Sequence, residues 1–380
     1  MIIKLTPIDT LFFRNGKSFN IKEDNWAEGI FPPYPLTIYG ALRAEYFSNN
    51  LIDFPKRETE EDPSLKLKIN GIFLSMDNQV YAPLPSDIVM FKGSAQPTLQ
   101  KLELISLSKY SNFLSSYDYP YILKAKEEVE NIGDGWIKIK DLITYLKNDE
   151  ISNEWEIESK ELNKGNKSKD FTIIRLSNHM LNESKIGIRI SNKTGTTMEH
   201  YLYSLNRKRL KDINILVNFE DLNIPKNGIL KLGGRNGNVY FKKLENEDSE
   251  YKQISNFTKQ KELIWKKCAN NARKETDSFI KIYFETPTIF QDFSKPNFQK
   301  HLQAKFKIIA CALKKPINIG GFNMKKGNPR PMFKALDSGS IYYLEINNSQ
   351  LTKMILNTNL SDQWKKRGFG VFSIGQIKKL

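Results

Sequence analysis

The chain has 380 residues, 58 Lys+Arg against 43 Asp+Glu for a formal net charge of +15, 39% hydrophobic and 12% aromatic residues, and two cysteines. Enough apolar side chains are present to exclude wholesale disorder, and the length exceeds what one core usually supports, so two domains are expected. Cys268 and Cys311 stand far apart, which argues against a disulfide framework or a thiolate metal site. The cation excess points to a polyanion. No run approaches the roughly 18 apolar residues of a membrane span, and MIIKLTPIDT lacks a signal-peptide layout, so nucleic acid in the cytoplasm is the expected setting, without a membrane.

In chain order, Ile2 to Leu5 reads as a strand turning at Pro7, and Tyr34 to Phe47 as a helix with Pro35 in its first turn and Leu36, Tyr39, Leu42 and Tyr46 on one face. RETEEDPSLK follows as a charged linker, in which solvation explains the acids Glu58 to Asp62. Residues 65–147 mix short strands with a helix at Asp141 to Leu146, and Asn153 to Asp170 reads as a polar, mobile excursion poor in anchors. KIGIRI, Lys185 to Ile190, alternates as a half-buried strand, then come the turn NKTGTT and the strand INILVNF. Ile229 to Leu244 is strand-rich and broken at Gly233 and Gly234, and Glu245 to Lys274 is charged and partly helical around Leu263 and Trp265. A second strand series starts at Phe279, with FIKIYF, KFKIIACAL, SIYYLEI and GVFSIGQI. The repeated order suits an α+β chain of two split-βαβ domains with antiparallel sheets.

Lys314 to Lys334, KKPINIGGFNMKKGNPRPMFK, carries six basic residues, three glycines, three prolines and no acid. Pro and Gly interrupt both helix and sheet ladders, so a long loop is expected whose bare N–H groups and cations can hold phosphates. LFFRNGKSF interleaves Phe12, Phe13 and Phe19 with Arg14 and Lys17, offering rings for base stacking and cations for phosphate. NRKRLK, with Arg207, sets four cations on an edge or hairpin, LGGRNG sets Gly233 and Gly234 beside Arg235, and GIR with TGTT supplies hydroxyls. His179, His200 and His301 have no metal-ligand or acid/base partner at useful spacing, and HExxH, GxSxG and P-loop patterns are missing. No active site, metal or cofactor is therefore expected. The rival is a metal-independent endoribonuclease using His200 or His301 with Tyr201.

LTPIDTLFFRNGKSF, PPYPLTIYGALR, ESKIGIRISNKTGTTMEHYLY, LKLGGRNG, YFETPTIF and INIGGFNMKKGNPRPMFKALDSGSIYYLE together span almost the whole chain. In them the chain resembles the Cmr-series subunit that caps the crRNA 5′ end in type III-B CRISPR effector complexes, a member of the RAMP superfamily. The resemblance implies two ferredoxin-like (RRM-like) domains, expected here as 1–248, with an insertion at about 55–180, and 262–380, with the glycine-rich loop 314–334. It implies a non-catalytic grip on the repeat-derived 5′ handle. The partners implied are the large polymerase-like signalling subunit and the first backbone RAMP subunit. By position it carries over Asp9, Arg14 and Phe19, Arg43 in GALR, Gly187, Gly233 and Gly234, and Gly320, Gly321, Lys325, Lys326, Pro329 and Arg330. The family pattern L-G-G-E-R-R departs here, where Arg235 and Asn236 follow the glycines. The expected phosphate contacts are Arg14, Arg43, Arg207, Arg235, Lys325, Lys326 and Arg330, with backbone approach at the glycine pairs and stacking on Phe12 or Phe13.

Overall fold

The structure is a computed structural model that describes residues 1–14, 26–93, 97–109, 117–158, 170–235, 237–274, 278–302, 306–323, 327–346 and 359–378. The elements used below are, in chain order, β1 (Ile2–Pro7), α1 (Pro35–Asn49), β2 (Lys68–Met76), β3 (Gln79–Pro83), β4 (Gly135–Lys138), α2 (Ile139–Asn148), β5 (Ile173–Arg175), β6 (Met180–Ile190) and β7 (Thr197–Leu210). They continue with β8 (Asn214–Glu220), β9 (Asn227–Lys231), β10 (Asn238–Lys243), α3 (Ser249–Lys274), β11 (Ser278–Phe284), β12 (Phe306–Ala312), β13 (Ile341–Ile346) and β14 (Phe372–Gln376). The fold is mixed α+β with mostly antiparallel sheets. Two compact units interleave along the chain, one of residues 1–70, 179–244 and 317–334, the other of 71–178, 245–316 and 335–380.

In the first unit the strand order is β8-β1-β10-β9, with β1 antiparallel to both β8 and β10. Alternation decides the faces: Ile3 and Leu5 of β1 and Val239 and Phe241 of β10 are buried, while Thr6 and Tyr240 are exposed. Pro35, whose fixed φ suits a first turn, starts α1, and Ile38, Tyr39, Ala41, Leu42 and Phe47 are buried. The buried face is thus rotated from the expected one, because Tyr46 keeps its hydroxyl outward to donate to Asp53 at 2.8 Å while Phe47 enters the core. Within residues 57–66 the solvation reading fails at Asp62, which is only 3% exposed.

β6 and β7 form a long hairpin running from Met180↔Leu210 to Ile190↔Thr197. KIGIRI is a strand, as the alternation predicts, but its apolar side is not buried: Ile186, Ile188 and Ile190 are 74%, 49% and 55% exposed. Period-two patterning shows which face needs cover and does not say that the same chain supplies it.

In the second unit, β12-β13-β11-β14 form an antiparallel sheet. Ile280, Ile282, Phe284, Tyr342, Leu344 and Ile374 fill its core. α3 is a single 26-residue helix, longer than the partial helix expected, with Ile254, Phe257, Ile264, Trp265 and Cys268 turned inward and Leu263 outward. In β3-β4-β5, β4 is central and leads directly into α2. The excursion at 153–170 is better anchored than its polarity suggests. Trp155, Ile157 and Glu158 are buried, and Ile157 bridges Ile173 of β5; residues 159–169 lie outside the described residues.

Candidate nucleic-acid interface

The segment Leu11–Arg14 is fastened from three sides. Leu11 and Lys208 of β7 exchange backbone hydrogen bonds at 2.8 Å, Phe13 O accepts from Ile30 N–H at 2.9 Å, and Phe12 O accepts from Gly234 N–H at 2.9 Å. These bonds turn Phe12 and Phe13 inward, leaving them 6% and 2% exposed. Neither ring is therefore a stacking platform, since a base would have to displace core packing to reach it. The glycine pair has a corresponding use. Gly233 has φ +84°, and a Cβ there would lie 2.6 Å from Phe12 O and 2.8 Å from Phe13 Cδ1. The close backbone approach at Gly233 and Gly234 is thus made to Phe12. Gly233→Ala is expected to destabilise the protein by about 1–3 kcal/mol, the range for a residue forced into a sparsely populated conformation. Urea denaturation measures it.

Fixing the rings inside leaves their cationic neighbours outside. Arg14 follows Phe13 and is exposed. Arg235 is also exposed, in the left-handed region at φ +57°, with its guanidinium carbon 4.8 Å from the Tyr203 ring centroid. Tyr203 pairs directly with Gly187 across the hairpin, and its ring occupies the space where a Gly187 Cβ would stand. Gly187 therefore makes a floor for Tyr203, and Arg235 lies over the ring. Tyr203 was not singled out in the sequence; its pairing with the glycine of KIGIRI is the signal that marks it. Arg207 donates from Nη2 to Thr10 O at 2.8 Å. Its Nε, Thr10 Oγ1 and Asn206 Oδ1 are buried without a hydrogen-bond partner.

Other cations are held by carboxylates. Arg43 binds Asp62 at 2.5 Å and donates from Nε to Ser64 Oγ at 2.7 Å, so its guanidinium is a structural group. Arg209 bonds Glu183 and, at 3.0 Å, Asp9. Asp9 sits below the usual carboxylate range, through the Thr10 N–H first and then Lys185 and Arg209. Lys208 donates to Asn182 Oδ1 at 2.7 Å.

The expected loop 314–334 contains short strand pairs, Ile317–Ile319 with Phe333–Ala335 and Phe322–Asn323 with Asn328–Pro329. Gly321 O accepts from Arg330 N–H at 2.8 Å. A Cβ on Gly321 would stand 3.1 Å from Leu36 Cδ2, whereas Gly320 meets only Met332 Cε at 3.9 Å. Arg330 is half-buried and Pro329 exposed. Lys325 and Lys326, like Lys17, Phe19 and Asn236, lie outside the described residues.

The family model described as CRISPR-associated protein (Cas_Cmr3) matches residues 3–377. The chain belongs to this family. As a Cas_Cmr3 member it is a subunit of the type III-B (Cmr) CRISPR effector. No curated protein sequence matches it. It is similar to a chain in a cryo-EM structure of the type III-B Cmr-beta complex bound to cognate target RNA and AMPPnP, at 18% identity over 90% of this chain and 86% of that chain, with a TM-score of 0.46. A chain in the same complex bound to cognate target RNA gives 17% over 90% and 86%, with a TM-score of 0.47. A chain of the Csm3-Csm4 subcomplex of the type III-A CRISPR-Cas interference complex gives 14% over 100% and 99%, with a TM-score of 0.39.

Among the histidines of this Cas_Cmr3 chain, His301 is buried with both ring nitrogens engaged. Lys365 donates to Nδ1 at 2.8 Å, and Nε2–H faces Asp362 Oδ1 at 3.0 Å. Burial, then the Lys365 charge, pulls its pKa below the usual value, so the ring is neutral and walled in. That position does not suit a ribonuclease base. The side chains of His200 and Tyr201 fall outside the described structure. Among the described residues no group of three or more His, Cys, Asp or Glu is placed to hold a metal ion, and no helix is long and apolar enough to cross a membrane.

Proposed function

We propose that this Cas_Cmr3 chain is a non-catalytic, cytoplasmic subunit that holds the repeat-derived 5′ handle of the crRNA. In the same reading it bridges the large polymerase-like subunit to the first backbone subunit. The observation that carries it is the inward lock of Phe12 and Phe13 under Gly233–Gly234, which displays Arg14 and Arg235 as cations on a fixed backbone. A single strand is held that way, through phosphate contacts and stacking on guanidinium or ring planes, and not through duplex readout. Arg207, half-buried and bonded through Nη2 to Thr10 O, is kept as a candidate contact in this reading, as are Gly320, Gly321, Lys325, Lys326 and Arg330; Arg43 is left to the fold.

Two ferredoxin-like domains, at 1–248 and 262–380, fit the strand orders. Counted along the chain, β11, β12, β13 and β14 run 2-3-1-4 across their sheet, and β1 stands between β8 and β10 in the first unit. The uncovered apolar row Ile186, Ile188, Ile190 and Leu202 supports a place in an assembly.

Arg14→Ala with Arg235→Ala is expected to weaken handle-RNA binding and to flatten the log–log salt dependence by about 0.7 for each phosphate no longer held. Unchanged affinity and slope in a fluorescence-anisotropy titration sink the assignment. Specific cleavage of repeat RNA by the purified chain, abolished in His301→Ala or His200→Ala, would replace it with the endoribonuclease reading.

A further inference from the structure

After α1 the chain makes a 3-10 turn, Leu51–Lys56, and a second one, Pro63–Lys66. Two side chains of α1 fasten this stretch: Tyr46 donates to Asp53 at 2.8 Å, and Arg43 bonds Asp62 at 2.5 Å. Arg43 and Tyr46 are three residues apart, so they share a helix face and stand about 4.5 Å apart along its axis. Between the two fastenings Arg57 N–H donates to Phe54 O at 3.2 Å, Thr59 N–H to Lys56 O at 3.0 Å, and Glu58 N–H to Asp62 Oδ2 at 2.8 Å. The Phe54 ring meets Phe47 of α1 edge to face, with centroids 6.1 Å apart. The stretch expected as a linker is therefore a ledge built onto α1.

This ledge presents apolar side chains. Ile52, 89% exposed, is the most exposed large apolar residue among the described residues, and its neighbour Leu51 is 73% exposed. Leu51 and Phe54 are three apart in a helix of three residues per turn, so they align on one edge with Ile52 beside them. Phe54 is itself exposed. Apolar residues scattered singly need no explanation, but a contiguous group on a fixed backbone marks a surface that is covered in use.

The charge beside this group reverses that of the whole chain. Asp53 and Lys56 pair at 2.9 Å, and Asp62 is enclosed with Arg43. Arg57 is half-buried, with its guanidinium carbon 4.9 Å from the Phe54 ring centroid. Glu58, Glu60 and Glu61 are exposed against Lys66 alone, on a chain of net charge +15. These acids repel a phosphate backbone. A second copy docked about a two-fold axis would set the same acids against each other. A partner with an apolar face edged by Lys or Arg suits both parts, burying Leu51 and Ile52 and neutralising the carboxylates.

We propose that Leu51–Glu61 is a docking surface for another protein subunit of the effector, which lays a basic-edged apolar segment across Leu51, Ile52 and Phe54. The inference deepens the bridging part of the proposed function and uses no residue kept for the grip on RNA.

The test titrates the labelled full chain into the effector assembled without it, with thermal melts to check that each variant folds. Leu51→Ser with Ile52→Ser is expected to weaken incorporation by about tenfold or more and to leave the melt unmoved, since both side chains stand in solvent. Glu60→Lys with Glu61→Lys is expected to weaken incorporation at low salt and less at high salt. Incorporation of the Leu51→Ser, Ile52→Ser variant at the parental affinity overturns the docking surface. If Arg14→Ala with Arg235→Ala still weakens handle-RNA binding in that case, the RNA-holding reading stands. A photo-crosslinking phenylalanine analogue at position 52 in the assembled effector should capture a different protein subunit, through a peptide with Lys or Arg among apolar residues. Capture of RNA or of a second copy of this chain, or no capture, overturns the proposal.

Discussion

Arg43→Ala is expected to destabilise the protein by about 3–5 kcal/mol, the cost of leaving a buried charge without its partner. Asp62 is almost wholly enclosed and takes Arg43 Nη2 at 2.5 Å, the Ser64 hydroxyl at 2.5 Å, and the Glu58 and Ser64 N–H groups at 2.8 and 2.9 Å. Burial alone would raise its pKa, but the Ser64 and Glu58 hydrogen bonds and the Arg43 charge hold it below the usual carboxylate value. A carboxyl with a depressed folded pKa contributes stability above its unfolded value of about 4, and that contribution is lost as pH falls through the folded pKa. Urea midpoints should therefore separate wild type from Arg43→Ala widely at pH 7 and converge below about pH 4. Arg43→Lys is expected to recover part of the loss, since an ammonium cannot bond Asp62 and Ser64 together as a guanidinium does. A variant as stable as the parent, with weakened RNA binding, would return Arg43 to the phosphate surface.

The second large effect is expected for Asp149→Asn in the second unit. Asp149 caps α2 in the left-handed region at φ +57°, a conformation asparagine also tolerates, so the substitution removes charge without straining backbone. Its carboxylate takes Lys281 Nζ at 2.7 Å and Lys101 Nζ at 3.0 Å. Lys281 is fully buried with its ammonium 3.2 Å from the Tyr145 ring centroid, and Tyr145 and Tyr343 both donate to the buried Asp87. Burial pulls the Lys281 pKa down to about 8 against the opposing pull of Asp87 and Asp149. Without the carboxylate, a loss of about 3–5 kcal/mol is expected at neutral pH. The slope with pH has the same sign as for Asp62, but here the depressed pKa is a cost relieved as pH rises, not a contribution lost as pH falls. A lysine whose folded pKa lies below its unfolded value binds fewer protons folded, so stability from this group rises with pH between the two. The deficit of Asp149→Asn should narrow between pH 7 and about pH 10, as equilibrium unfolding at both pH values will measure. A deficit that widens toward alkaline pH would mean that Lys281 is not the group left uncompensated.

Legibility followed the range of the interactions. The strands at Ile2, Lys185, Phe279 and Ser340 and the helix after Pro35 were readable because alternation, spacing and a first-turn proline act within a few residues. The glycine pair at 233–234 was readable as a backbone requirement, but not its object. What it accommodates is the Phe12 carbonyl and the rings of Phe12 and Phe13, more than two hundred residues earlier. The outward apolar row of the hairpin was hidden for a related reason, since an amphipathic pattern is the same whether its cover is the chain itself or another molecule.

The order of residues by itself determined a basic, cysteine-poor α+β chain with the motifs of its family, because charge balance and local periodicity need no partner to be read. Only the tertiary structure decided which charges are enclosed and which are exposed. Arg43 meets Asp62 nineteen positions on and Arg209 meets Asp9 two hundred positions back, while Arg14 and Arg235 remain at the surface. A cation in a sequence is equally a phosphate ligand and an ion-pair partner. Folding distinguishes the two by enclosing one guanidinium against a carboxylate and leaving another at the solvent boundary.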